Sequence, residues 1–488
     1  MTAGLSSEHQ IPERGEPVNV TASADKQNQK LPLSSTINLA LFWAFIVGLA
    51  WTPFFYGSNN LIAWGINAIL FAGLAMVYEV LILLRGERHA VGIKQLWAPA
   101  ALFFAVLLWI VIQDATWTPS SWHHPIWVMT SDALQRPIEG SISVNRDLTA
   151  LALVRLITAG SVFWIALQLC RDATRAYQFV IAIVTIISGY VTYGLISFAM
   201  TSLDASLHRF VTSTFVNHNH FSTYAGIGFI ASCGLILRHY RNEVLRGDGS
   251  LRFRIASFIE ATGQRATIFF AGSGVTLAGI LLSGSRGGVI ATVASLIAFG
   301  ILSLGLGKRD FSRRRDSILF GAFLVVAAFL AFGEIFVNQM SERNLADENR
   351  LTVYMLTLRS IFDAPLFGYG YGTFIDVFPM IRDRSISVLG AWDQAHNTYL
   401  EVFQGLGLVF GSMLVGSVIL LVLKCLKGAI MRQEQDMVPS IAASAAILAG
   451  VHAMADFSLQ IQAVALTFVA LLGVGVAQSE SSLRDLRD

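Results

Sequence analysis

The sequence has 488 residues, of which 54% are hydrophobic and 14% charged, with a mean hydropathy of +0.59. So little charge excludes an ordinary soluble chain of this size and indicates a polytopic, all-α membrane protein. The formal net charge of +2 comes from basic residues scattered over short connections, and no basic surface interleaved with aromatics is visible, so nucleic acid is not an expected partner.

In chain order, residues 1–34 are rich in Ser, Glu, Gln, Asn and Pro and lack the apolar core and cleavage site of a signal peptide. They are expected to be a disordered cytoplasmic tail. Apolar runs then fall at 37–53, 61–84, 97–113, 149–169, 177–200, 221–237, 266–283, 287–306, 317–336, 398–423, 439–456 and 459–477, which predicts a bundle of about twelve transmembrane helices. Every even-numbered connection is basic, for example Arg85, Arg88 and Lys94, or Lys424, Lys427 and Arg432. The positive-inside rule therefore puts both termini in the cytoplasm and the odd connections outside. The expected organisation is an N-terminal group of transmembrane helices over 35–200, a site-bearing transmembrane domain over 201–478, and a short cytoplasmic tail over 479–488. The first group includes an interfacial outer segment, 114–148, marked by Trp117, Trp122 and Trp127. The second includes a large outer loop, 337–397, which carries helical spacing from Leu351 to Phe362 and then the turn glycines Gly368, Gly370 and Gly372. The Gly-rich stretch is not a phosphate-binding GxGxxG and reads as a flexible loop with packed aromatics. Cys170, Cys233 and Cys425 lack metal-ligand or CxxC spacing and read as packing residues.

The outer connections nevertheless hold cations that orientation does not require: Arg209, Arg286, Arg343, Arg350, Arg359, Arg382 and Arg384. Together they suggest an anion held near the outer leaflet. Arg286 lies in the turn Ser283–Gly288, too short to leave the membrane surface, where a guanidinium can bind phosphate in bidentate fashion beside the amides that open the next helix. Its alternative reading is an interfacial side chain snorkelling to water. Arg350 opens a helical stretch and could equally be a solvated charge. His396 sits just before a span, where the positive end of the helix dipole favours the neutral imidazole that can accept a proton from a hydroxyl; the alternative is a hydrogen-bonded cap histidine. A second outer constellation, from His208 to His220, includes Arg209, His218 and Asn219 and suggests hydrogen bonding to substrate. His218 and His220 are weak evidence for a metal, and no metal site is expected. His452 and Asp456, ionisable groups at the outer end of a span, suggest a substrate cavity.

Three of these motifs together resemble the O-antigen ligase and Wzy-type polysaccharide polymerase superfamily: Ser285-Arg286-Gly287-Gly288 between two spans, Arg350 to Phe374 with its Pro-Leu-Phe-Gly-Tyr-Gly, and His396-Asn397-Thr398-Tyr399-Leu400-Glu401 at the start of a span. The resemblance covers about 200–480, and in it the long N-terminal tail and the segment 114–148 are departures. It implies a GT-C-like glycosyltransferase of the inner membrane, active on the periplasmic face. The implied donor is an undecaprenyl-diphosphate-linked glycan, and transfer would invert the anomeric carbon without a metal ion or other cofactor. Arg286 and Arg350 fall on the family's diphosphate-binding arginines, joined here by Arg209, and His396 on its base. His218, Asn219, Asn397 and Asp456 are further candidate substrate contacts. The implied acceptor is another lipid-linked repeat, as in a polymerase, or lipid A core, as in a ligase. Transfer to protein is a third choice, and a chain-length regulator a candidate partner. The competing reading from the residues alone is a multispan secondary transporter, against which stands the lack of similarity between halves.

Overall fold

The computed structural model describes residues 33–201, 210–243, 264–304, 344–386, 392–432 and 436–480. Its regular elements are helices, with no strand among the described residues. They are α1 (Leu33–Trp51), α2 (Leu61–Arg85), α3 (Trp97–Asp114), α4 (Ile126–Leu134), α5 (Arg146–Leu169), α6 (Ala173–Thr201) and α7 (His218–Glu243). There follow α8 (Gln264–Leu282), α9 (Arg286–Leu304), α10 (Asn344–Asp363), α11 (Phe374–Ile381), α12 (Thr398–Met431), α13 (Met437–His452) and α14 (Gln462–Glu480). The chain divides into two units at residue 40, within α1, so that 41–488 form one unit and 1–40 the other.

Eleven of the twelve apolar runs coincide with described helices, and the run 317–336 lies outside the described residues, as do Arg209 and most of both expected tails. Among the described residues, eight helices are long and apolar enough to cross a membrane, while Thr36–Trp51, Thr267–Leu282 and Met437–His452 are apolar but shorter. At α13 the helix is shorter than its apolar run. The apolar run there continues to Asp456, but the helix stops at His452, and a turn followed by a short 3-10 segment, Ser458–Gln460, carries the chain to α14.

Short polar side chains start the helices by accepting from their first free amides. Asn60, Asn145 and Asn397 receive Ala63 N, Leu148 N and Leu400 N; Asn217 receives Asn219 N, and Ser285 receives Gly288 N. These caps set where α2, α5, α12, α7 and α9 begin, and three of them, Asn217, Ser285 and Asn397, adjoin the residues singled out above. Helices α7 and α14 are sheathed almost entirely by protein, whereas α2, α3 and α12 leave most of their apolar surface uncovered. Between them α13 packs on α7, α9, α12 and α14, so its end, with His452 and the turn beyond it, is ringed by the helices that carry the other polar candidates.

The segment 114–148, expected to lie at the interface, also packs against other parts of the chain. Its stretch Ser141–Val144 is buried; Ser143 N donates to Gln113 O and Val144 N to Tyr369 O, and Asn145 Nδ2 donates to Asp376 at 2.7 Å. The glycine-rich stretch is likewise not a loose loop. Tyr369 N and Gly370 N donate to Gln404 O and Gly405 O of α12, and Leu408 N returns the contact to Pro365 O. Those carbonyls are free because α12 breaks at Gly407, whose φ of 75° and ψ of 171° interrupt the helical ladder.

Candidate active site

Asp456 is the centre around which the polar candidates gather. Its side chain is fully buried, and Ser458 Oγ donates to Oδ2. Asn219 Nδ2, from the first turn of α7, reaches Oδ1 at 3.4 Å. His220 Nε2 lies 3.6 Å from Oδ2 and His396 Nδ1 lies 3.8 Å from Oδ1, beyond hydrogen-bond length but well within reach of charge. Burial alone would raise the carboxyl's pKa; the His396, His220 and His452 side chains and the Ser458 hydroxyl outweigh it and hold the group below the usual carboxylate range. Asp456 is therefore an anion, and the histidines face it.

His452 joins the cluster from the end of α13. Its Nδ1 hydrogen-bonds Thr223 Oγ1, which lies 3.0 Å from Ser458 Oγ, so a chain of hydroxyls links His452 to Asp456. The ring packs over Gly287, the residue after Arg286: a Cβ built on Gly287 would stand 2.9 Å from His452 Nε2. The absence of a side chain there is what lets the turn bearing Arg286 close on α13. The Arg350 guanidinium acts electrostatically on the same imidazole. The turn that bears Arg286 thus packs on His452, and Arg350 lies within electrostatic reach of the same ring. Several acidic and imidazole groups meet here, but among the described residues no three of them are arranged to hold a metal ion.

His396 enters from the other side, on a loop fixed at each residue. Ala395 N donates to Glu401 Oε1, Tyr354 Oη donates to His396 O, Asn397 Nδ2 donates to Met454 O, and Thr398 N donates to Ala453 O. His396 itself has a φ of 55°, in the left-handed region that non-glycine residues seldom occupy. Its ring stands edge-on to Trp392, at 5.8 Å, and to Phe457, at 5.0 Å, and Phe457 turns another edge to His220 at 4.5 Å. Of the three histidines, His396 keeps a side-chain exposure of 20%, against 3% for His220, while His452 is buried.

The remaining candidates are used inside the protein. Asp456 is fully buried and faces His396. Asn397 commits Oδ1 to the start of α12 and Nδ2 to Met454, and Asn219 points at Asp456. His218 stacks on Phe210 at 4.9 Å instead of joining the cluster, because residues two apart on a helix point roughly 200° apart. The sequence reading missed Thr223, Ser458, Tyr354 and Gln460, whose side chains connect these parts. Hydroxyls and amides are ordinary in membrane helices, so only their meeting in space marks them.

No curated protein matches the chain. The family model described as O-antigen ligase matches residues 271–415, a span that takes in Arg286, Arg350, His396, Asn397 and Glu401 and stops short of His452 and Asp456. Over that stretch the chain is similar to the O-antigen ligase family, which supports the likeness to the O-antigen ligase and Wzy family that its motifs suggest.

Proposed function

We propose that the chain is an integral membrane glycosyltransferase that moves an undecaprenyl-diphosphate-linked glycan onto an acceptor hydroxyl at the periplasmic face of a bacterial inner membrane, with inversion and without a metal ion. The observation that carries this reading is the pairing of a buried carboxylate, Asp456, with the half-buried His396, whose Nδ1 faces it at 3.8 Å. A carboxylate behind Nδ1 leaves Nε2 as the proton acceptor and stabilises the imidazolium that forms. As the acceptor oxygen bonds to the anomeric carbon, the bond from that carbon to the diphosphate oxygen breaks. The hydroxyl proton goes to His396, and the electron pair leaves on the lipid diphosphate. Arg286 and Arg350 favour this step by holding the diphosphate as its charge increases, a stabilisation greater in the transition state than in the ground state.

Polymerisation of surface polysaccharide, O-antigen or exopolysaccharide, is the first reading of the acceptor. Ligation to lipid A core is the second, favoured by the description of the matching family. Asn219 and His220 serve Asp456 and so do not discriminate between acceptors. The test is the glycan profile of a deletion strain complemented with wild type, His396→Ala or Arg286→Ala, with lipopolysaccharide, secreted polysaccharide and lipid-linked intermediates separated. Both variants should persist in the membrane and make no product. Accumulation of single lipid-linked repeats marks a polymerase, and long lipid-linked chains that never reach lipid A core mark a ligase. Near-normal glycan from both variants would sink the proposed site.

A further inference from the structure

Glu401 lies in the first turn of α12, five residues beyond His396, and both of its carboxylate oxygens are engaged. Oε1 accepts from Ala395 N at 2.7 Å, and Oε2 accepts from Gln460 Nε2 at 2.7 Å. Ala395 is the residue before His396, and Gln460 closes the 3-10 turn whose Ser458 donates to Asp456. Gln460 is anchored in turn, since its carbonyl accepts from Arg155 Nη2, and the Arg155 guanidinium lies 4.3 Å over the Trp64 ring. One carboxylate thus ties the loop that carries His396 to the turn that carries Asp456. Capping does not account for it, because Asn397 already satisfies Leu400 N at the start of α12. Both partners of Glu401 are donors, and each of its two side-chain oxygens accepts from one of them.

We propose that Glu401 is a positioning residue for the transfer reaction: the bridge Ala395–Glu401–Gln460 holds His396 in register with Asp456. The proposal rests on the reading of His396 as base. It makes an unusual demand on substitutions, because what counts is the order of donors and acceptors along the bridge. Glu401→Gln keeps an acceptor for Ala395 N and turns its amide nitrogen towards Gln460, whose own amide can rotate to present oxygen. Gln460→Glu instead sets two carboxylates face to face and drives the loop and the turn apart. The pair Glu401→Gln with Gln460→Glu restores both hydrogen bonds with donor and acceptor exchanged.

The experiment uses membranes containing the full chain and, as probe, the polyprenyl-diphosphate-linked glycans extracted from cells lacking the gene. Turnover is followed against glycolipid concentration, alongside the amount of protein in the membrane. Gln460→Glu should lower kcat by roughly 10²-fold, the scale of a misplacement of about 1 Å. Its KM should stay within about twofold, because the bridge does not touch the diphosphate. Glu401→Leu, which removes both acceptors, should lose turnover to a similar extent, and the exchanged pair should recover most of it. Wild-type turnover in Gln460→Glu, or an exchanged pair that accumulates normally yet stays as slow as Gln460→Glu, would overturn the proposal. Where Gln460→Glu does not accumulate, Gln460→Leu is read in its place, and unchanged turnover there overturns it equally. His396→Ala runs in parallel. Activity in that variant removes the base itself, whereas an inactive His396→Ala beside a fully active Gln460→Glu removes only the bridge.

Discussion

At the residue scale, the role proposed for His396 depends on its backbone as much as on its ring. Its left-handed φ is held by hydrogen bonds on both sides, so the imidazole projects from a fixed stem between Trp392 and Phe457. The buried carboxylate behind it yields a direct expectation. Asp456→Asn keeps the volume and removes the charge; transfer should fall on the order of 10²-fold or more, with little change in glycolipid KM, as measured in membranes carrying equal amounts of protein. A variant with wild-type kcat would show that His396 works without its anion. Arg286→Lys should fail as well, by roughly tenfold or more, because a point charge does not reproduce the planar fork that grips a phosphate; binding of a radiolabelled lipid diphosphate separates this loss from one in chemistry. These residues were legible in the sequence because each is an ionisable group at the margin of an apolar run. Their division of labour was not. That Asn219 and Asp456 face inward, or that His218 turns away from His220, depends on where α7 begins and where α13 ends, and a single apolar pattern sets neither limit closely.

Among the elements, α12 shows how a spanning helix can serve as an attachment. Its break at Gly407 frees carbonyls on the loop side, and the Pro365–Tyr371 loop takes them up through Tyr369 N and Gly370 N. Gln113, at the end of α3, completes the joint: its Nε2 donates to Phe367 O and to Gly405 O, both at 2.7 Å, and its Oε1 accepts from Tyr371 N at 3.3 Å. This accounts for a fully buried amide in an apolar helix, a cost that partners must offset. Gln113→Leu should destabilise the protein by about 1–3 kcal/mol for the Phe367 carbonyl and Tyr371 amide left unpaired, read as a lowered unfolding midpoint in detergent. An unchanged midpoint would mean that water replaces the amide. The helices themselves were largely visible as apolar runs. The joint was not, since Gln113 lies some 250 residues before its partners and no periodicity connects them.

At the scale of the whole molecule, the proposed orientation follows from the alternation of basic and non-basic connections, and it can be tested because native thiols interfere little. Cys170 and Cys425 are buried and Cys233 is partly so. A cysteine introduced at Ser120, in the outer segment, should react with an impermeant maleimide on intact spheroplasts, whereas one at Arg88 should react only after the membrane is opened. The reverse pattern would move the site to the cytoplasmic face and remove the proposed donor. The crossing of the Pro365–Tyr371 loop over α12 also constrains how such a chain can drift. A Cβ on Gly407 would stand 2.5 Å from Leu366 O, one on Gly405 would stand 3.0 Å from Gly370 O, and one on Gly368 would strike the Gly405 carbonyl. Each obstacle is main chain, which no change of rotamer can clear. In a library covering every position, alanine at these three glycines should therefore be selected against as strongly as tryptophan, and the crossing would change only by a register shift that moves both strands of the contact together.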